Sequence, residues 1–260
     1  MNRFYYLVHL QFLGFRYHGW QKQIDVKTVQ YMLERTLITI LKTDDFKTLG
    51  ASRTDSMVSA NHHLCQLALP FEIDPAQLCE DLNHNLPQDI KALKVEEIEK
   101  SFNLMGSNKI KEYHYYFSYG EKAHPFSAPF MTNVLSDLDI KLMQKGAKLF
   151  EGTNNFIQYC FRGNENKVYQ REVLESTIEK NTIITASFFP DHTFLYRVKG
   201  AGFMRNQIRL MMGTLFTLGQ GKISMDQIQN SLKSENTQTH PLGYIAPASG
   251  LVLYKTEFNE

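Results

Sequence analysis

The sequence predicts an α+β fold, mixed in strand direction, with two similar lobes of sheet that carry packed helices. Three observations predict it. Stretches of alternating apolar residues interleave with stretches of helical spacing from one end of the chain to the other. The second half repeats the strand-and-helix theme of the first, with more antiparallel sequence. The chain has 260 residues, 43% of them hydrophobic, enough for one large domain or two smaller ones. The lobes are expected over residues 1–105 and 106–260.

Phe4, Tyr6, Val8, Leu10 and Phe12 form one face of a first strand, and Tyr5, Leu7, His9 and Gln11 a mixed second face. "GFRYHGWQKQ" follows as a polar, aromatic loop. Thr28 caps a helix with Val29, Met32, Leu33, Leu37, Ile40 and Leu41 at helical spacing. "HHLCQLALP" is a strand that Pro70 ends, Asp74-Pro75 starts a second helix, and "DIKALKVEEI" is a strand. In the second lobe "EYHYYFSYG" is an aromatic strand. "DLDIKLMQKGAKLFEG" is a helix with Asp137 or Asp139 near its start and Gly152 past its end. "EVLESTIEK", "NTIITASFFP" and "HTFLYRVKG" are expected as three successive strands. "FMRNQIRLMMGTLFTLGQG" is a helix ended by glycine, and Ser224 caps a short one. A loop over 235–249 and a closing strand, "GLVLYKTEF", complete the chain.

Charged residues are 21% of the chain and mixed in sign, which excludes a disordered polyelectrolyte. The formal charge is +1, from 28 Lys and Arg against 27 Asp and Glu. That balance does not announce a nucleic-acid binder, and a basic groove balanced elsewhere remains compatible with it. Cys65, Cys79 and Cys160 are scattered, with no Cys-x-x-Cys spacing, so no disulfide framework or zinc site is read from them. A reducing cytoplasm is the expected compartment. The N-terminus alternates like a strand and has no signal-peptide pattern, and no run of about 18 apolar residues would span a membrane.

Three residues stand out as candidates for chemistry. Asp55 lies in "ASRTDSMVSA", among Gly50, Ala51, Ser52 and Ser56, where the backbone turns easily just before a core strand. A carboxylate so held suits a nucleophile, although a turn aspartate looks the same in isolation. Neighbouring Arg53 suits a phosphate or a base stack. Tyr113, Tyr115 and Tyr116 share the aromatic strand; alternation sends part of them into the core, while one facing a site would stack on a base or accept a proton. Arg205 and Arg209 are four apart on a helix apolar nearly all round, where a charge is costly unless paired, as with Asp55. His62 and His63 are adjacent and point to opposite faces of a strand, so they are no metal pair. Helical His spacing, a Gly-x-Gly-x-x-Gly, a P-loop and a Gly-x-Ser-x-Gly elbow are all missing from the sequence, so neither a metal nor a nucleotide cofactor is expected.

Taken together, these pieces resemble the TruA-type tRNA pseudouridine synthases over essentially the whole chain. "LQFLGFRYHGWQKQ" is similar to the family's opening strand with its Gly-Trp-Gln-x-Gln, and "SRTDSMVSA" to its Arg-Thr-Asp signature. "KEYHYYF" is similar to its Tyr-x-Tyr strand, "FMRNQIRLMMGTLFTLGQGK" to its arginine helix, and "APASGLVL" to its closing Ala-Pro-x-x-Gly-Leu. Departures are equally specific. Ser52 stands where the family has Gly; Ser56, Met57 and Ser59 fall within its Ala-Gly-Val-His; Met105 replaces an arginine, and Asn154 to Phe156 replace a His-Asp-Phe.

The resemblance implies the pseudouridine synthase fold, with a central cleft between the lobes, and a metal-free, cofactor-free isomerase acting on the anticodon stem-loop of tRNA. It implies Asp55 as nucleophile, attacking C6 or C1′, with Tyr113 on the flipped base as stacking partner and proton acceptor, and Arg209 paired with Asp55. Extruding the uridine costs roughly a few kcal/mol. Arg53 is then a candidate for the vacated stack, and Arg16, Lys22, Lys109, Lys111 and Arg205 for RNA phosphates. A homodimer is implied as well. The alternative is a non-catalytic or altered-specificity RNA-binding relative.

Overall fold

The computed structural model describes residues 3–161, 168–233 and 240–258. Its elements run β1 (Phe4–Phe12), α1 (Val29–Leu41), β2 (Lys47–Gly50), β3 (Ser59–Leu69), α2 (Pro75–Asn85), β4 (Ile90–Ile98) and β5 (Lys109–Tyr119). They continue as β6 (Thr132–Val134), α3 (Ile140–Lys148), β7 (Gly152–Asn155), β8 (Gln170–Val173), β9 (Glu175–Lys180), β10 (Thr193–Gly200), α4 (Gln207–Gly219), α5 (Met225–Lys233) and β11 (Leu251–Phe258). The chain is mixed α+β, as its periodicity indicates. It forms two compact units, Met1–Asn108 with Val252–Glu260, and Lys109–Leu251.

In the first unit β1 pairs antiparallel with β3 on one side and β4 on the other. β2 joins β3 antiparallel and β11 joins it in parallel, which makes the sheet mixed. The parallel pairing takes the closing strand, expected in the second lobe, into the first unit. Tyr6, Val8, Leu10 and Phe12 are buried, as are Leu33 and Leu37 of α1 and Leu78 and Leu82 of α2. The helices start on local signals: Thr28 Oγ1 accepts from Tyr31 N at 3.3 Å and Asp74 Oδ1 from Ala76 N at 3.0 Å.

In the second unit β10 pairs antiparallel with β5 and β9, and β6 runs parallel to β5. β7 and β8 form a separate hairpin pair. α4 is buried at every residue but Arg209 and Thr217, so an apolar helix lies where the sequence put one. Phe216 meets Phe117 of β5 edge-on at 5.3 Å between centroids. Asp139 caps α3 through Leu142 N at 2.9 Å. Ser224 and Gln227 exchange a capping box ahead of α5, at 3.3 and 2.8 Å.

Two expectations fail here. "NTIITASFFP" is not a strand, because Asn181 closes the chain on itself. Its side chain donates to Ile184 O at 2.6 Å and accepts from Ile183 N at 3.1 Å, which gives the backbone an alternative to a ladder. α4 begins only at Gln207, since Asn206 is left-handed at φ 62°, so Arg205 precedes the helix instead of sharing a face with Arg209. Of the loop expected over 235–249, residues up to 239 lie outside the described residues.

Candidate active site

Asp55 sits in the segment between β2 and β3, half-buried, with Arg53 exposed and Ser52 and Thr54 buried. A second loop, between β1 and α1, holds this segment by its backbone. Trp20 N donates to Thr54 O at 3.3 Å, and Met57 N donates to Tyr17 O at 2.9 Å. Ser56 Oγ donates to the same Tyr17 carbonyl at 3.3 Å, and Val58 N closes a turn on Asp55 O at 3.2 Å. The holding loop is itself tied to the start of α1. Val29 N and Gln30 N, donors that a helix start leaves unpaired, reach Gly19 O at 3.1 Å and Trp20 O at 3.0 Å.

Close approach explains the glycines. Gly19 has φ +83°, and a Cβ there would lie 2.3 Å from Thr54 O. Gly19→Ala is therefore expected to push the Asp55 segment away and to lower the thermal midpoint by roughly 5 °C. An unchanged midpoint in a thermal melt would show that the backbones are not in contact. Met57 occupies a left-handed position at φ 67°, where the family pattern has glycine. Holding a methionine there costs on the order of 1 kcal/mol. Ser59, at the family's histidine position, accepts from Gly14 N at 2.9 Å within the buried interior.

Beneath the segment is an aromatic stack. Trp20 and His63 lie 3.9 Å apart at 27°, and Phe12 braces both at 6.3 and 5.8 Å. His63 Nε2 donates to Ser52 O at 2.9 Å. Gly50 leaves room for the indole, since a Cβ there would lie 2.2 Å from Trp20 Nε1. His62 takes a different partner, with Nε2 at 2.8 Å from His9 Nδ1. The sequence reading missed this stack. Its only trace there was a tryptophan inside an otherwise polar loop.

In the second unit Tyr113 is buried on β5 and meets Phe203 edge-on at 5.5 Å. The other two tyrosines are committed to the interior. Tyr115 Oη lies 2.7 Å from Thr132 Oγ1 and donates to Pro247 O at 2.8 Å, and burial pushes its pKa well up. Tyr116 Oη lies 3.0 Å from His114 Nδ1. Arg209 is anchored at its stem: Nε donates to Ala246 O at 2.7 Å, Nη1 to Asn206 Oδ1 at 3.4 Å, and Ala246 N donates back to Arg209 O at 3.1 Å. Arg205 is exposed, its guanidinium over the Phe161 ring at 5.2 Å.

The remaining basic candidates have unequal settings. Arg16 pairs with Asp89, at 2.9 Å from Nη2, and that bond raises its pKa further. Lys22 Nζ lies 2.7 Å from Glu34 Oε2. Both cations thus already have carboxylates, and an RNA phosphate at either one competes with them. Lys109 is buried, and burial lowers its pKa. Lys111 is half-buried and pushed down to about 8, first by burial and then by the charge of Lys109.

Between about pH 8 and 10.5 the unfolded chain therefore holds a proton on residue 111 that the folded chain has released, so stability rises with pH across that window. Lys111→Met is expected to stabilise by on the order of 1 kcal/mol at about pH 7 and to add little at about pH 10. Urea midpoints at the two pH values check it; a gain that grew with pH would contradict the burial of this charge.

Among the described residues, no group of three or more His, Cys, Asp or Glu is placed to hold a metal ion. Nor is any described helix long and apolar enough to cross a membrane.

Comparison with known proteins bears on the family of the chain. A family model described as tRNA pseudouridine synthase matches residues 147–259. A tRNA pseudouridine synthase A of Thermodesulfovibrio yellowstonii is 31% identical over 254 residues, covering 95% of this chain and 96% of the relative. The protein of that name in Thermoanaerobacter sp. (strain X514) is 30% identical over 249 residues, 96% of this chain and 97% of the relative. That of Clostridium botulinum is 30% identical over 246 residues, 95% and 96% of the two chains.

Proposed function

The chain belongs to the tRNA pseudouridine synthase family, and on that premise we propose that it isomerises uridine in the anticodon stem-loop of tRNA with Asp55 as nucleophile. The observation that supports this most is likeness at about one residue in three over nearly the whole length to relatives that carry that one name.

The chemistry asks little of the protein beyond placement. The target uridine leaves its stack, at roughly a few kcal/mol, and Arg53 takes the vacated space. Asp55 attacks C1′ or C6, the N1–C1′ bond breaks, and the base turns in place. A C5–C1′ bond then forms as the bond to Asp55 breaks and restores its carboxylate; the C5 proton leaves to Tyr113, whose phenol passes its own proton through solvent to N1 while its ring stacks on the base. Arg209 pairs with the Asp55 carboxylate and fixes its direction through a fork that matches two oxygens. Lys109, Lys111, Arg205, Arg16 and Lys22 hold phosphates, the last two after release from Asp89 and Glu34. No oxidant, reductant or cofactor enters this balance. The same reading has the enzyme acting in the cytoplasm as a homodimer on one tRNA.

Loss of the C5 hydrogen supplies the test. The purified protein is incubated with a tRNA transcript tritiated at uridine C5, and tritium released to water is counted. Release in proportion to the enzyme is expected. Binding of the transcript with no release would favour the non-catalytic RNA-binding alternative.

A further inference from the structure

We propose that His63, through its stack with Trp20, is a positioning residue that sets the height and direction of the Asp55 segment. The inference rests on Asp55 being the nucleophile. His63 touches no substrate; it acts through the segment it supports.

The geometry ties both members of the stack to that segment. The imidazole, fully buried, donates from Nε2 to Ser52 O at 2.9 Å, three residues before Asp55. A carbonyl only accepts, so Nε2 carries the proton. The indole of Trp20 stacks on that ring at 3.9 Å and 27°, and the backbone N–H of Trp20 reaches Thr54 O at 3.3 Å, one residue before Asp55. Ser52 is therefore held by the imidazole and Thr54 by the backbone of the residue whose indole stacks on it, with Arg53 between them and Asp55 next. Phe12, on β1, packs against both rings, at 6.3 and 5.8 Å between centroids.

The support matters because the segment is strained. Met57 holds a left-handed backbone two residues after Asp55. Ser52 Oγ and Thr54 Oγ1 are buried with no hydrogen-bond partner among the described residues, so neither hydroxyl pins the segment. The His63 bond to Ser52 O acts beside the bonds of Thr54 O, Ser56 Oγ and Met57 N to the loop carrying Trp20. Loss of the His63 donor leaves Ser52 O buried without it, and the segment relaxes away from the stack. A displacement of about 1 Å at a nucleophile costs on the order of a hundredfold in rate.

Two substitutions separate the donor from the ring. His63→Phe keeps a ring on Trp20 and removes the donor. His63→Gln removes the ring and keeps an amide donor of similar reach. Single-turnover rates at saturating enzyme, with the half-saturating concentration read separately, are measured for both and for Asp55→Asn. His63→Phe is expected to lower the rate about 10- to 100-fold with half-saturation within about twofold, and His63→Gln to recover to within about fivefold of the parent. Emission from Trp20, the single tryptophan of the chain, verifies a buried indole in each variant. If the phenylalanine variant fails to fold, His63→Leu takes its place on the same criteria.

A donor-less variant at the parent rate, or equal losses in both variants, overturns the proposal. Asp55→Asn inert beside an unimpaired His63→Phe overturns this proposal alone. Asp55→Asn at the parent rate overturns the nucleophile assignment and this inference with it.

Discussion

Replacing Asp55 by asparagine is expected to lower the rate of tritium release by at least about ten-thousand-fold, the scale on which a nucleophile's removal acts. The amide is nearly the same size as the carboxylate, and Asp55 is only half-buried, so the fold has no cavity to absorb. Val58 N bonds the Asp55 carbonyl, and that turn survives the change. Circular dichroism and the thermal midpoint should therefore match the parent. Affinity for tRNA should stay within about threefold, since most RNA binding energy lies in phosphate contacts. A turn aspartate would behave oppositely, with stability falling and rate following only the folded fraction.

Arg209→Ala is expected to lower the rate about a thousandfold, in line with losing a charged group aimed at the reacting site. It also has a structural cost, because Ala246 O loses a 2.7 Å bond in the packing between α4 and the chain after it. That cost is about 1–3 kcal/mol. Arg209→Lys separates the two effects. Lysine keeps the charge on a helix that is otherwise buried, but has no planar fork with which to bond Ala246 and a carboxylate together. We expect Arg209→Lys to fold with a midpoint close to the parent and to react roughly a hundredfold more slowly. Rates under single turnover, normalised to folded protein, check both variants. A fully active Arg209→Ala would remove the arginine from the mechanism.

Much of the fold was legible because its signals are local. Thr28, Asp74, Asp139 and Ser224 each sit one residue ahead of a helix and each caps it through its own side chain. The strand β1 announces itself by alternation, and α4 by apolar residues on every side. The family was legible for a different reason: its pieces are far apart and occur in a fixed order.

What was not legible depends on partners distant in sequence or on a single side chain. "NTIITASFFP" has the composition of a strand, yet one asparagine carboxamide bends it. Strands β2, β6 and β7 are three or four residues long and exist by virtue of the strand they join. The closing strand lies with the first unit because it pairs with β3, a contact that no window of sequence contains. The support of Asp55 is of this second kind. Trp20 and His63 are 43 residues apart by number, and nothing in either neighbourhood tells that their rings meet. Ser59 is a milder case. As a missing histidine it looked like a loss, but in the fold its hydroxyl accepts the buried Gly14 N–H.

The most direct test of Asp55-dependent isomerisation is nucleotide-resolution mapping of pseudouridine in an unmodified tRNA transcript after incubation with the parent protein or with Asp55→Asn. The parent is expected to convert uridine in the anticodon stem-loop, with the variant leaving the transcript unchanged while still binding it. Conversion by both proteins alike, or binding without conversion by the parent, would contradict the account.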